Sequence, residues 1–176
     1  MLETDRLILR PMVEDDVDAL LLVFSDPKVM QSFGGVLFDR SMMERWVRRN
    51  LDHQDRHGYG LFSLIHKESD ELMGDCGLEH MEVDGRPEVE IGYDIRSDYW
   101  NRGLATEAAT AVRDFAFETA RLPRVISLIR PTNVASKRVA EKVGMAPEKE
   151  IVRGDSPYWV YALSREQWLA RNAGTA

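Results

Sequence analysis

A chain of 176 residues, 44% apolar and 30% charged, fits one domain that buries about 70% of its unfolded surface without staples. Its net charge of −7 argues against nonspecific nucleic-acid binding. The single cysteine, Cys76, excludes an internal disulfide, and no Cys/His spacing reads as a zinc site. No apolar run approaches ~18 residues, and the first residues, MLETDRLILRPM, lack a basic-then-apolar leader. The expectation is a cytoplasmic protein with no membrane partner.

In chain order, Arg6 to Arg10 reads as a short strand closed by Pro11. Glu14, Asp15 and Asp16 lead into a helix, VDALLLVFSD, with negative charge at its positive end. After a short turn at Pro27, Ser41 and Glu44 have capping-box spacing. The helix they open turns Met43, Trp46, Val47 and Leu51 inward and stops at Gly58. Strands over Tyr59 to His66 and Glu71 to Met81 flank the polar turn KESD. Asp84-Gly85 signals a hairpin into PEVEIGYDI. Cys76 reads as a small buried strand residue rather than a nucleophile. A helix follows from Gly103, then a strand from Arg124 to Arg130 broken by Pro131. Asn133 caps the helix VASKRVAEKV, which stops at Gly144. Strands over Pro147 to Arg153 and Pro157 to Leu163 precede a last helix opened by Ser164 and Gln167. This is one α/β domain whose mixed sheet contains a β-α-β unit near the middle.

The stretch YWNRGLATEAATAVRDFAF poses a question. Leu104, Ala108, Val112, Phe115 and Ala116 form a helical apolar stripe, yet the helix opens on Gly103, about 1 kcal/mol worse than Ala inside a helix. The first N–H groups of a helix have no internal partner and sit at its positive end, where a diphosphate can take them. Glycine lets the ligand approach, Ala105 keeps the next turn low, and Arg102 adds charge. An ordinary N-terminal glycine is the competing reading. Neither G-x-x-x-x-G-K-[ST] nor a strand-borne G-x-G-x-x-G is present.

EIGYDIRSDYWNRGLATEAATAVRDFAF with NVASKRVAEKVGM resembles the GNAT superfamily of N-acetyltransferases. The opening LETDRLILRPMVEDD and the ending YALSREQW narrow the resemblance to the ribosomal-protein-alanine acetyltransferase (RimJ/RimL-like) branch. It covers roughly residues 2 to 168 as one N-acetyltransferase domain and leaves 169–176 as a frayed tail. The resemblance implies a mixed, mostly antiparallel sheet flanked by helices, with acetyl-CoA as cosubstrate and an amine as acceptor. The family's loop pattern [QR]-x-x-G-x-[GA] falls on Trp100 to Ala105, with Trp100 in place of the leading Gln or Arg. It implies a diphosphate on the amides of Arg102, Gly103, Leu104, Ala105 and Thr106. It also implies a pantetheine arm along the backbones of Ile95 and Arg96, and a contact from Asn133, which is also an N-cap on its own sequence context. The branch's habit, with Tyr158, Trp159 and Trp168, suggests a homodimer.

For chemistry, Glu90 alternates with Gly92 and Asp94 along one strand face and is the first candidate base, Asp94 the second; a solvated or salt-bridged strand glutamate is the alternative. On this reading Glu90→Gln costs most at low pH. A backbone N–H between Tyr93 and Ile95 would polarise the thioester. Many family members carry a tyrosine where this chain has Ala140, so the usual proton donor is missing. By resemblance Ser136 meets the leaving thiolate; an ordinary first-turn serine and a role for Tyr161 remain open. Phe33, Gly34, Gly35 and the Trp159 region mark the expected acceptor pocket. His53, His57, His66 and His80 read as surface residues with no metal site. The competing class is a catalytically weak acyl-CoA-binding sensor of the same fold.

Overall fold

The structure, a computed structural model, describes residues 1–173. Eight strands form one sheet: β1 (Leu2–Glu3), β2 (Leu7–Pro11), β3 (Leu61–His66), β4 (Glu71–Val83), β5 (Arg86–Ile95), β6 (Arg124–Ile129), β7 (Ala146–Arg153) and β8 (Ser156–Ser164). Their order is β1-β2-β3-β4-β5-β6-β8-β7. Every pairing is antiparallel except β5 with β6, which are parallel and joined by a crossover helix. The helices are α1 (Val17–Phe24), α2 (Pro27–Met30), α3 (Arg40–His57), α4 (Leu104–Glu118), α5 (Val134–Lys142) and α6 (Arg165–Ala173). The single-domain α/β fold expected from sequence is the fold observed.

Strand alternation sorts the core into two layers. Leu7, Leu9, Phe62, Leu64, Leu78 and Ile91 pack against Leu104, Ala108, Val112 and Ala116 of α4. On the opposite face Leu61 joins Met12, Val17, Leu20, Met43 and Val47 beneath α1 and α3. Among the described residues no helix is long and apolar enough to cross a membrane.

Local signals place most boundaries. The Asp84-Gly85 turn holds positive φ at both residues, +50° and +73°, as a tight hairpin between β4 and β5 requires. Ser164 Oγ accepts the Gln167 N–H at 3.1 Å and Gln167 Oε1 accepts the Ser164 N–H at 2.9 Å, so that capping box exists as read. The box expected at Ser41 and Glu44 does not. Asp39 caps α3 instead, its Oδ1 accepting the Met42 N–H at 2.8 Å, which starts the helix one residue before Ser41. Ser41 bonds Arg45 on the same helix. α6 continues through Ala173, into the stretch expected as a frayed tail, and 174–176 lie outside the described residues. Trp168, expected at a partner surface, is buried against Phe117 and donates to Asp114 at 3.0 Å.

Candidate active site

The parallel pair is barely a pair. β5 and β6 share one register position, Glu90 opposite Ile126, and then diverge. The Arg96 N–H reaches the Met73 carbonyl on the β4 side at 2.9 Å. Alternation along the strand therefore sends the N–H and C=O groups of Ile91, Tyr93 and Ile95 toward β6. A continued ladder would have joined the Leu128 N–H to the Ile91 carbonyl. Side chains take over both groups: the Leu128 N–H donates to Glu90 Oε1 at 2.8 Å, and Ser127 Oγ donates to the Ile91 carbonyl at 2.8 Å. The Ile95 carbonyl accepts from the Trp100 indole at 2.8 Å. The Tyr93 N–H and C=O and the Ile95 N–H are left facing the opening.

That assignment corrects part of the expected cofactor edge. Arg96 has its N–H committed to β4, and its guanidinium pairs with Asp98 at 2.7 Å, so its backbone N–H is not available along the opening. Ile95 offers its N–H but not its carbonyl. Trp100, read from sequence only as a departure from the family pattern, is the residue that closes that carbonyl.

At the far end of the opening stands the N-terminus of α4. Gly103 is its N-cap rather than its first residue, with φ +79°, and no side chain caps the helix. The question of a helix-disfavouring residue inside the helix thus dissolves: left-handed backbone requires glycine here whether or not a ligand binds. A Cβ at Gly103 would meet only Arg6 Nη2, at 3.6 Å. Asn101 is also left-handed, at φ +61°. The first helical bond joins the Glu107 N–H to the Gly103 carbonyl at 3.0 Å, so the amides of Leu104, Ala105 and Thr106 precede it and lack intrahelical acceptors. Glu107 anchors this end, accepting from Thr4 Oγ1, the Arg6 N–H and Arg6 Nε. The Arg102 guanidinium lies 5.1 Å from the Tyr99 ring centroid.

α5 borders the opening on the α4 face. Asn133 Oδ1 accepts the Ser136 N–H at 3.0 Å, so Asn133 caps α5 as its sequence context indicates. The Tyr93 hydroxyl donates to the Ser136 carbonyl at 2.9 Å and ties β5 to α5. Burial pushes the Tyr93 phenol well up, so it remains a donor. The Ser136 hydroxyl lies beside the same Tyr93 phenol and opposes its upward shift. Ala140 is fully buried in the core beneath α5. Tyr161 is buried on the same face, opposite Ser127 in the register.

The other face carries carboxylates. Register pairs Asp75 with Asp94 and Glu79 with Glu90, separated by Gly77 opposite Gly92. Burial pushes Glu90 up to about 8, opposed by the Leu128 N–H and helped by Glu79 and Asp94. Burial, then Glu79, pushes Asp94 up to about 7. Asp75 is inaccessible and neither of its oxygens is hydrogen-bonded. Burial, Asp94 and Glu79 raise it well above the usual carboxylate range. Nothing in the local sequence singles out Asp75; cross-strand register creates the pair. Glu79 meets Arg49 of α3 at 3.2 Å. The loop after α2 reaches toward this face, since a Cβ at Gly34 would lie 3.4 Å from Arg130 Nη2. Phe33 of that loop is half-exposed and Arg130 stacks over the Tyr158 ring.

Among the histidines, His66 corrects the surface expectation. His66 is buried, its ring edge-on to Tyr99 and its Nδ1 3.1 Å from Ser69 Oγ. The fold also brings His80 of β4 beside His53 and His57 of α3, the third imidazole that helical spacing alone does not reveal.

A strand pair that opens beside an uncapped helix start is matched by sequence. The acetyltransferase (GNAT) domain model matches residues 6–146. The chain belongs to the GNAT acetyltransferase family. It is therefore an acyltransferase. It is 37% identical over 161 residues to the uncharacterized protein YkkB of Bacillus subtilis (strain 168), covering 91% of this chain and 93% of that one. It is 33% identical over 153 residues to the uncharacterized N-acetyltransferase p20 of Bacillus licheniformis, covering 84% and 83%. A solved acetyltransferase from Agrobacterium tumefaciens str. C58 superposes with a TM-score of 0.79 at 31% identity, over 92% of each chain.

Proposed function

We propose that this GNAT acetyltransferase moves the acetyl group of acetyl-CoA to a primary amine by direct attack in a ternary complex. The observation that carries the reading is the β5–β6 divergence, with unpaired Tyr93 and Ile95 amides along it and free α4 amides at its end. The diphosphate takes the Leu104, Ala105 and Thr106 amides, with the Arg102 and Gly103 backbone beside them. The pantetheine arm pairs with Tyr93 and Ile95 as an added strand, and Asn133 borders it.

The two faces of the sheet divide the chemistry. Ser136 and α5 lie on the thiol side, and Glu90 lies on the side of α1 and α3. The ionised Glu90 carboxylate takes the ammonium proton, directly or through water. The amine nitrogen attacks the thioester carbon while the Tyr93 or Ile95 N–H stabilises the developing oxyanion. The C–S bond then breaks and the thiolate takes the Ser136 hydroxyl proton, which the amine's second proton replaces through solvent. Holding amine and thioester together supplies much of the acceleration.

The carboxyl row on the acceptor face, which a nearby cation draws toward its ionised form, favours a cationic amine over a neutral one. The RimJ/RimL-like ends of the chain favour a protein N-terminus, while the acidic row equally suits a small polyamine. One feature supports the sensor reading: Ala140 supplies no phenol and sits in a filled core position. Single-turnover thiol release from acetyl-CoA across a panel of N-terminal peptides and diamines separates the readings. Acetylation of at least one cationic amine is expected. Tight acetyl-CoA binding with no transfer to any acceptor would favour the sensor.

A further inference from the structure

β4 outruns β3, and three imidazoles gather where it does. The β3–β4 register ends at Leu61 opposite Gly77. Beyond that point the end of α3 lies beside the open edge of β4, where the His80 N–H donates to His53 Nε2 at 3.0 Å. His53 and His57 sit one turn apart on α3, and ring atoms of all three histidines lie within 4.8 Å of one another. Ring centroids are 4.5 Å apart for His53 and His57, 4.0 Å for His57 and His80, and 5.5 Å for His53 and His80.

Tyr59 orients two of the three rings. Its carbonyl can only accept, and it lies 2.9 Å from His53 Nδ1; that nitrogen carries the proton and Nε2 keeps a lone pair. Its hydroxyl is 2.7 Å from His80 Nε2. Outer hydrogen bonds of this kind, to a carbonyl and a hydroxyl, fix tautomer and ring direction in metal-bound histidines. His57 has ring contacts but no hydrogen bond among the described residues.

We propose that His53, His57 and His80 form a binding site for a divalent transition-metal ion of the zinc type, which clips the end of α3 to β4. Three imidazoles with no carboxylate or thiolate suit zinc, nickel or copper and not magnesium or calcium. Two histidines four apart on one helix face form a chelating pair. The ion would sit at the C-terminal end of α3, where the helix dipole favours positive charge. Zinc–nitrogen bonds of about 2.0–2.1 Å need the rings to draw closer together. His57 and His80 are exposed and can swing inward. The ion takes the His53 lone pair from the His80 N–H, which water then satisfies. Solvent fills the fourth position.

The test is calorimetric titration of the tag-free, chelator-treated full chain with zinc chloride, alongside cobalt chloride absorption and thermal melts. The expected result is a single ion per chain with Kd of about 1 µM or tighter, tetrahedral cobalt bands, and a melting temperature that rises with zinc. His57→Gln and His80→Gln should each weaken binding by about tenfold or more. His57→Gln removes no hydrogen bond, so its loss of affinity reports on the metal and not on folding. Binding weaker than about 100 µM, or affinity unchanged in both variants, would overturn the site.

Discussion

Glu90 Oε1 accepts the backbone N–H of Leu128 at 2.8 Å, across the point where β5 and β6 part. This one contact places a carboxylate in the throat of the split and satisfies a strand amide that the broken ladder would leave bare. It also limits the choice of proton acceptor, because the Leu128 bond orients one oxygen and leaves the other for the amine or a bridging water. Burial nevertheless outweighs that bond and holds the carboxyl near 8.

The pH profile should follow from that balance, and in the opposite sense to the sequence-based expectation. Below about pH 7 Glu90 is protonated and resembles glutamine already, so Glu90→Gln should cost little there. At about pH 9 wild type carries the ionised base and the variant should lag by about 10²- to 10⁴-fold in kcat/KM. Steady-state kinetics of both proteins across pH check this, the acceptor's own ionisation being common to the two. A wild-type-to-variant ratio that stays flat from pH 6 to 9 would remove Glu90 as the base.

Ser136→Ala is an unusually clean test of the thiolate donor. The cap bond at Asn133 uses the Ser136 N–H and the Tyr93 bond uses its carbonyl, both of which alanine keeps. The variant loses only the contact of its hydroxyl with the Tyr93 phenol, so it should melt close to wild type and bind acetyl-CoA equally well. Its kcat should fall by about 10² or more if the hydroxyl protonates the thiolate, because that interaction strengthens only as the thiolate forms. Unchanged kcat would assign the step to water or Tyr161.

At Gly103 stability and binding can be separated by choice of side chain. The residue is left-handed at φ +79°, so Gly103→Ala should cost about 1–2 kcal/mol in urea unfolding. Asparagine tolerates that conformation, so Gly103→Asn should be the more stable of the two. Its added side chain lies beside the α4 amides, so acetyl-CoA affinity should still drop, measurably by calorimetry. Gly103→Asn binding as tightly as wild type would move the diphosphate elsewhere.

Short-range signals made much of the fold legible. The Asp84-Gly85 turn, the Ser164–Gln167 box and the Asn133 cap are each fixed within four residues, and each is where the sequence puts it. Ser41 misled because Asp39, an equally good cap two residues earlier, takes the role. β1 has two residues and is too short to carry a pattern. What escaped reading depends on register between distant strands. Asp75 meets Asp94, and His80 reaches α3, only because β4 has its particular alignment with β5 and its overhang past β3. Ile95 loses its carbonyl to Trp100 through a turn whose direction no local residue announces.

The carboxylate row should make the empty protein sensitive to alkali and the acceptor sensitive to salt. Asp94 is held near 7 and Glu90 near 8, both above their ordinary values of 3.8 and 4.5. A raised folded pKa means that the folded state holds its proton longer than the unfolded chain. The associated stability is complete below about pH 4 and is lost as pH rises through 7 and 8. Melting temperature should therefore fall between about pH 5 and 8.5, and Asp94→Asn, which cannot ionise, should flatten that fall. A cationic acceptor that neutralises the row should restore part of the loss at high pH. In kinetics the same substitution should raise the acceptor's KM more than it lowers kcat. Added salt should raise the wild-type KM and affect the variant less. If Asp94→Asn leaves both the melting profile and the salt dependence of KM unchanged, Asp94 neither titrates across this range nor contacts the acceptor.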